Sequence, residues 1–214
     1  MVAKSVESQA IRLSPIRRQT IHVEVEGLTP LIVHKFSEKA KRQMLEDQVK
    51  TKTKAKRDPQ DPDKEYNAAR YILPDGRDGF PAVGFKAAIV GAARFYDGIS
   101  MIALKQAIYI QGVGSEQLIP IIGDPQMRED VTRVGQGTAN LRYRPEYWPW
   151  RVMIPVSFVP TMIDAESVLA LVDAAGMGGV GEWRPTAPKS ATGSYGQFRV
   201  DYDTPARLVK DEDS

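Results

Sequence analysis

The side chains with the clearest chemical use are cations and aromatic rings set among glycines. The stretch 177–200, MGGVGEWRPTAPKSATGSYGQFRV, carries Trp183, Arg184, Lys189 and Tyr195 between two glycine clusters, Gly178-Gly179-x-Gly181 and Gly193-x-x-Gly196. Glycine admits positive φ and lets a backbone or ligand come close, because no Cβ stands in the way. Cations on such a loop suit phosphates, and rings suit base faces. The same residues also make an ordinary connector with Trp183 and Tyr195 packed into the core. The loop alone leaves both readings open.

A second cluster, 141–151, places three arginines, two tyrosines and two tryptophans in eleven residues: Arg142, Tyr143, Arg144, Tyr147, Trp148, Trp150 and Arg151. In a strand, Arg142 and Arg144 share one face, and Leu141 and Tyr143 the other. Single-stranded nucleic acid calls for this pairing, with cations along its backbone and rings that stack on bases at about 1–3 kcal/mol each. The alternative places Trp148 and Trp150 in the core or at a protomer interface, since aromatics dominate both. A third feature is purely cationic. Lys50, Lys52, Lys54, Lys56 and Arg57 fall within eight residues without an acid, and two Asp-Pro steps follow. Such a segment cannot bury apolar surface and is expected to be a mobile flap. It is either a solvated linker or a polyanion contact whose binding is salt-sensitive.

Other chemistry is thin. Of the two histidines, His22 is expected on the outer face of a strand beside Glu24, and His34 follows Leu31-Ile32-Val33 next to Lys35. His34 is the one candidate base, without a nucleophile signature near it. No HExxH, EF-hand loop, Walker A or GxSxG sequence occurs. The acids Glu46, Asp47, Asp58, Asp61, Asp63 and Glu65 show no ligand spacing, so neither a metal site nor a cofactor is expected. Gly176-x-Gly178-x-x-Gly181 matches the dinucleotide-binding fingerprint letter for letter. That motif must follow a strand and open a helix, whereas here a helix precedes and a strand follows, so it is rejected.

Length and composition bound the rest. The 214 residues are 42% hydrophobic and 26% charged, enough for one globular domain with a substantial core. A net charge of +2 announces no polyanion partner by itself, so any such signal lies in the charge distribution. The absence of cysteine excludes disulfides, cysteine zinc sites and thiol catalysis, and fits a reducing compartment. No apolar run is long enough to span a membrane and the N-terminus lacks a signal-peptide core, so a cytoplasmic location without a membrane partner is expected.

The elements that position these residues follow from periodicity. Residues 21–26 alternate, with Ile21, Val23 and Val25 inward, and 150–159 repeats the pattern with Val152, Ile154, Val156 and Phe158. Ser37 opens a helix expected through 49, and 68–73 reads as a short strand before the turn Pro74-Asp75-Gly76. Phe85, Ala88, Ile89 and Ala92 make a helical stripe, with Lys86 and Arg94 standing off it. Two strand-like runs, 107–111 and 118–122, flank a glycine turn, and 127–147 reads as a hairpin. Asp164 caps a helix through 175 with Gly176 at its end. Residues 1–19 read as an arm and 204–214 as a charged, frayed tail. One domain over 20–203 is expected, with insertions at 50–66 and 126–151. The fold class is α+β: an antiparallel sheet with helices on one face.

Three segments resemble the RAMP superfamily, the RRM-like proteins that include RNA-binding backbone subunits of CRISPR effector complexes. They are Val25-Glu26-Gly27-Leu28-Thr29-Pro30-Leu31-Ile32, then Gly79-Phe80-Pro81-Ala82-Val83-Gly84-Phe85-Lys86, then Gly178-Gly179-Val180-Gly181-Glu182-Trp183-Arg184 with Gly193-Ser194-Tyr195-Gly196-Gln197-Phe198. The chain also resembles small uncharacterised bacteriophage proteins, for some of which a single-strand-binding role in replication or recombination is expected. The resemblance implies a ferredoxin-like βαββαβ core and places Lys86, Arg184 and Gly178, Gly179 and Gly181 near nucleic acid. Together these features predict a non-catalytic protein that binds single-stranded nucleic acid, DNA before RNA, and oligomerises along it. Its expected contacts are Lys35, the 50–57 cations, Lys86, Arg142, Tyr143, Arg144, Trp148, Trp150, Arg151, Trp183, Arg184, Lys189 and Tyr195. Replication or recombination proteins are the further partners this implies. Two alternatives are a metal-independent RNA endonuclease using His34 and a phage protein-interaction or inhibitor module anchored by the aromatic hairpin.

Overall fold

The computed structural model describes residues 15–36, 42, 45, 61–134, 138–188, 192–204 and 206–209. Its frame is β1, Gln19–Gly27, in which Ile21, Val23 and Val25 are buried and the alternate side chains are not. An antiparallel neighbour, β8 (Arg151–Phe158), buries Val152, Ile154, Val156 and Phe158 against the same core. On the far side of β8 lies β4, Ile108–Ile110, and on the far side of β1 lies β9, Phe198–Val200. The order β9-β1-β8-β4 is antiparallel throughout.

Two helices cover one face of this sheet. Helix α2, Ala82–Ala92, follows β1, and helix α4, Ala165–Gly178, connects β8 to β9. Phe85 and Ile89 of α2 and Val168, Leu171 and Val172 of α4 join the strand residues in one core. The chain order β1-α2-β4-β8-α4-β9 with this strand order is the ferredoxin-like split βαβ arrangement. Asp164 starts α4 as expected, accepting the Ser167 amide at 2.8 Å.

Four additions surround that frame. Strand β2, Leu31–Ile32, pairs with β7, Thr138–Tyr147, which pairs with β6, Pro125–Val134, to form a second sheet. The ten-residue strands of this hairpin span about 34 Å at the usual rise. Strands β3, Gly79–Pro81, and β5, Leu118–Pro120, form a small ribbon, and β10, Arg207–Val209, pairs with Thr20–His22 of β1. Helix α1, Pro62–Ala68, carries Tyr66, whose hydroxyl donates to the Pro125 carbonyl at 3.2 Å.

Several sequence expectations change. Residues 61–66, read as the end of the basic flap, open α1: Asp61 caps it with Pro62 in its first turn. The strand expected over 68–73 is the end of that helix and a turn, with Ile72 making a lone bridge to Asp78. Helix α3, Met101–Ala107, precedes β4 and is capped by Ser100. The two runs flanking the glycine turn pair with different partners, β4 with β8 and β5 with β3. Helix α4 continues past Gly176 to Gly178, and part of the expected frayed tail is β10. Of the helix expected over 37–49, only Arg42 and Leu45 are described, both helical and exposed. The 50–57 cations lie outside the described residues. No described helix is long and apolar enough to cross a membrane.

Trp150 locks the two sheets together. It is 1% exposed, and its Nε1 donates to the Thr29 carbonyl at 2.8 Å. A Cβ on Gly27 would overlap the Trp150 indole, so only glycine lets β1 pass at this distance. Gly27→Ala is therefore expected to cost about 1–3 kcal/mol, the usual penalty for overpacking a core, read as a lower urea midpoint at unchanged slope.

Candidate nucleic-acid interface

The side chains of β6 and β7 divide between two faces because strand side chains alternate. Register places Arg128 opposite Arg144, Asp130 opposite Arg142, and Gln126 opposite Glu146. Asp130 binds both arginines: its Oδ1 accepts Arg128 Nε at 2.8 Å and its Oδ2 accepts Arg144 Nη2 at 2.8 Å. Asp130 and Arg144 are each only 3% exposed at the side chain, so the pair is buried. Arg128 reaches further, donating to Glu146 at 2.5 Å and to the Tyr195 hydroxyl at 3.2 Å.

This charged face meets the glycine-rich loop. Gly179, at φ 67°, ends α4 in a conformation that favours glycine. Beyond it Val180 donates to the Gly196 carbonyl at 3.0 Å, Glu182 to Ile32 at 2.9 Å, and Gly196 to Pro30 at 2.8 Å. The loop is thus tied to β2 and its flank. Trp183 stands at φ 53°, unusual for a residue with a side chain, with its ring 5.9 Å from that of Tyr195. The Arg144 guanidinium lies 4.9 Å from the Trp183 ring centre, and Arg128 lies 4.9 Å from Tyr195 and 5.4 Å from Trp183. Cation–π contact of this kind is worth more where water is excluded.

The cations expected to meet nucleic acid therefore fall into two groups. Arg144 is consumed by Asp130, by Trp183 and, at 3.5 Å, by Glu182. Arg151 lies on the open face of the main sheet, within 3.8 Å of Glu24 and Glu26, and Arg199 binds Glu26 there too. Lys35 pairs with Glu116 at 2.7 Å. By contrast, Arg142, Arg184 and Lys86 have no carboxylate partner among the described residues. Arg142 shares the loop-facing side of the hairpin with Arg144, and Arg184 donates to the Gly181 carbonyl at 2.8 Å.

The aromatics divide as well. Trp183 and Tyr195 are half-buried between the loop and the hairpin. Trp148 is exposed between β7 and β8, whereas Trp150 is a core residue and cannot stack on a base. Tyr143, opposite Glu129, is on the hairpin face away from the loop. Lys189 lies outside the described residues. Gly178, Gly179, Gly181 and Arg184 line a cleft against α2, and His34 lines it too. No side-chain hydrogen bond orients His34 among the described residues; its ring sits 5.1 Å from Phe36. Burial, then the charges of Arg144 and Arg142, lower its pKa from 6.5 to about 4. Sequence reasoning missed Arg128, Asp130, Glu146 and Glu182. The available signal was the pattern Arg128-x-Asp130 facing Arg142-x-Arg144 once the hairpin register is written out.

No protein-family model matches the chain, and no curated protein matches it. Among solved structures it is similar to a chain in the cryo-EM structure of the Type III-B Cmr-beta bound to cognate target RNA. The TM-score is 0.47 at 11% identity, covering 90% of this chain and 61% of that one.

Two outcomes follow from the site. Asp130→Asn leaves buried Arg144 with only the longer contact to Glu182 at 3.5 Å, and is expected to cost about 3 kcal/mol in denaturant unfolding. His34 is neutral in the fold at a pH where the unfolded chain already takes a proton. The His34 contribution to stability is therefore expected to fall as pH drops from 6.5 to about 4 and to level off below. Thermal midpoints across that range should show the loss in the wild type and a shallower one in His34→Gln.

Proposed function

We propose that this protein binds single-stranded nucleic acid on the surface where the hairpin meets the glycine-rich loop. The observation that carries the reading is the sorting of cations. Arg128 and Arg144 hold the surface together through Asp130 and Glu146, while Arg142 and Arg184 beside them have no carboxylate partner among the described residues. Unpaired guanidiniums next to half-buried rings suit a phosphate backbone whose bases are free to stack. Lys86, on the helix that walls the cleft, and exposed Trp148 extend the same chemistry. The five cations of 50–57 add phosphate contacts at the level of sequence. The open face of the main sheet is a poor second surface, because Glu24 and Glu26 balance Arg151 and Arg199 there.

Fluorescence anisotropy with labelled single-stranded DNA, single-stranded RNA and duplex DNA across a salt series tests this reading and selects the nucleic acid. Arg142→Gln and Arg184→Gln are each expected to weaken binding on every sequence and to reduce the salt slope by about 1. Arg151→Gln should leave both unchanged. A wild-type protein that binds no single strand at about 50 mM salt contradicts the proposal.

A further inference from the structure

The cleft behind the glycine-rich loop has a volume of about 620 Å³, within the range of small-ligand sites, about 300–1,000 Å³. One wall is α2, presenting Ala88 and Gly91; the other is the end of α4, presenting Ala174 and Gly178. The lining is predominantly apolar, with Phe80, Val83, Phe95 and Met177 beside these small residues. The charged or ionisable residues of the lining are Arg94, Arg184, Glu182 and His34. Arg184 is oriented by its bond to the Gly181 carbonyl, and Arg94 is exposed without a carboxylate partner among the described residues.

Gly91 is the telling residue. A glycine inside a helix costs stability relative to alanine, so it usually has a packing reason. Gly84 on the same helix has one, because a Cβ there would overlap the Phe80 ring. At Gly91 an added Cβ meets nothing within 4 Å. The packing of the fold does not need this glycine, and it lines the cleft.

We infer that the cleft lined by α2 and the end of α4 is a pocket for one nucleotide unit, its base on the apolar lining and its phosphate on Arg184 and Arg94. The inference deepens the single-strand reading by naming where a splayed-out nucleotide sits, and a free nucleoside monophosphate carries the same chemistry. His34 is neutral at pH 7, so its imidazole both donates and accepts hydrogen bonds and serves a base edge better than a phosphate. Glu182 in the lining disfavours the extra charge of a polyphosphate.

The experiment pairs ligand-observed NMR of AMP and UMP with anisotropy of a single strand, on wild type, Gly91→Leu and Gly91→Ala. Leucine fills the cleft at a position where the helix gains propensity, and a thermal midpoint at or above wild type confirms folding; alanine adds one methyl as the graded second variant. The pocket predicts mononucleotide contact in the wild type, its loss in Gly91→Leu, and strand affinity reduced about tenfold. Mononucleotide binding that Gly91→Leu removes, with no strand binding, upholds the pocket for free nucleotides and overturns the strand reading. Strand binding that both variants retain in full, with no mononucleotide contact, overturns the pocket and leaves the strand reading standing. Neither ligand binding overturns both.

Discussion

The buried pair between Asp130 and Arg144 is the contact on which this surface depends. Two charges removed from water cost more than their attraction returns unless their remaining bonding capacity is met. Here Asp130 spends its two oxygens on two arginines, and Arg144 lays its guanidinium over Trp183. Arg144 Nε is buried without a hydrogen-bond partner, so the ring face and the carboxylate carry the compensation. The arrangement stores little slack. Any movement of the loop that withdraws Trp183 exposes one side of a buried cation, and any movement of the hairpin separates Asp130 from its partners. The ferredoxin-like frame meets this demand at two points. The loop is hydrogen-bonded to the stretch around β2, and β2 is itself a strand of the hairpin sheet.

That coupling explains why similar residues have different roles. Arg142 and Arg144 are two positions apart on one strand face, yet Arg144 is structural and Arg142 is unpaired among the described residues. What separates them is the register: Arg144 is opposite Arg128 and beside the loop, and Asp130 has already spent both oxygens. The open face of the main sheet shows the contrasting case. Its cations and acids neutralise one another across adjacent strands, with Glu26 facing both Arg151 and Arg199. Under the proposed function, the contrast between a charge-balanced sheet face and a loop face with unpaired guanidiniums directs a polyanion to the second.

Much of the fold was legible because it is written in local periodicity. Strands β1 and β8 alternate cleanly, since each buries one face, and α4 announces itself through Asp164 and its apolar stripe. Helix α1 was missed because its charged composition hid the Asp61-Pro62 start. Helix α3 is short enough that its seven residues merged with the strand behind it. Strand β10 owes its existence to an edge of β1 that no local pattern reveals. The site was legible in residue types and illegible in roles. The sequence shows arginines and rings at 142–151 and 183–195, but Trp150 enters the core only because Gly27 leaves it room. Arg144 is buried only because Asp130 and Trp183 arrive from elsewhere in the chain.

The most direct measurement is ultraviolet cross-linking of a bound homopolymeric single strand, with the linked residues located by peptide mass spectrometry. The loop-and-hairpin surface predicts links at Trp183, Tyr195, Trp148 and their neighbours. Links concentrated on the open sheet face, at Tyr109, Met153 and the residues beside them, would contradict it.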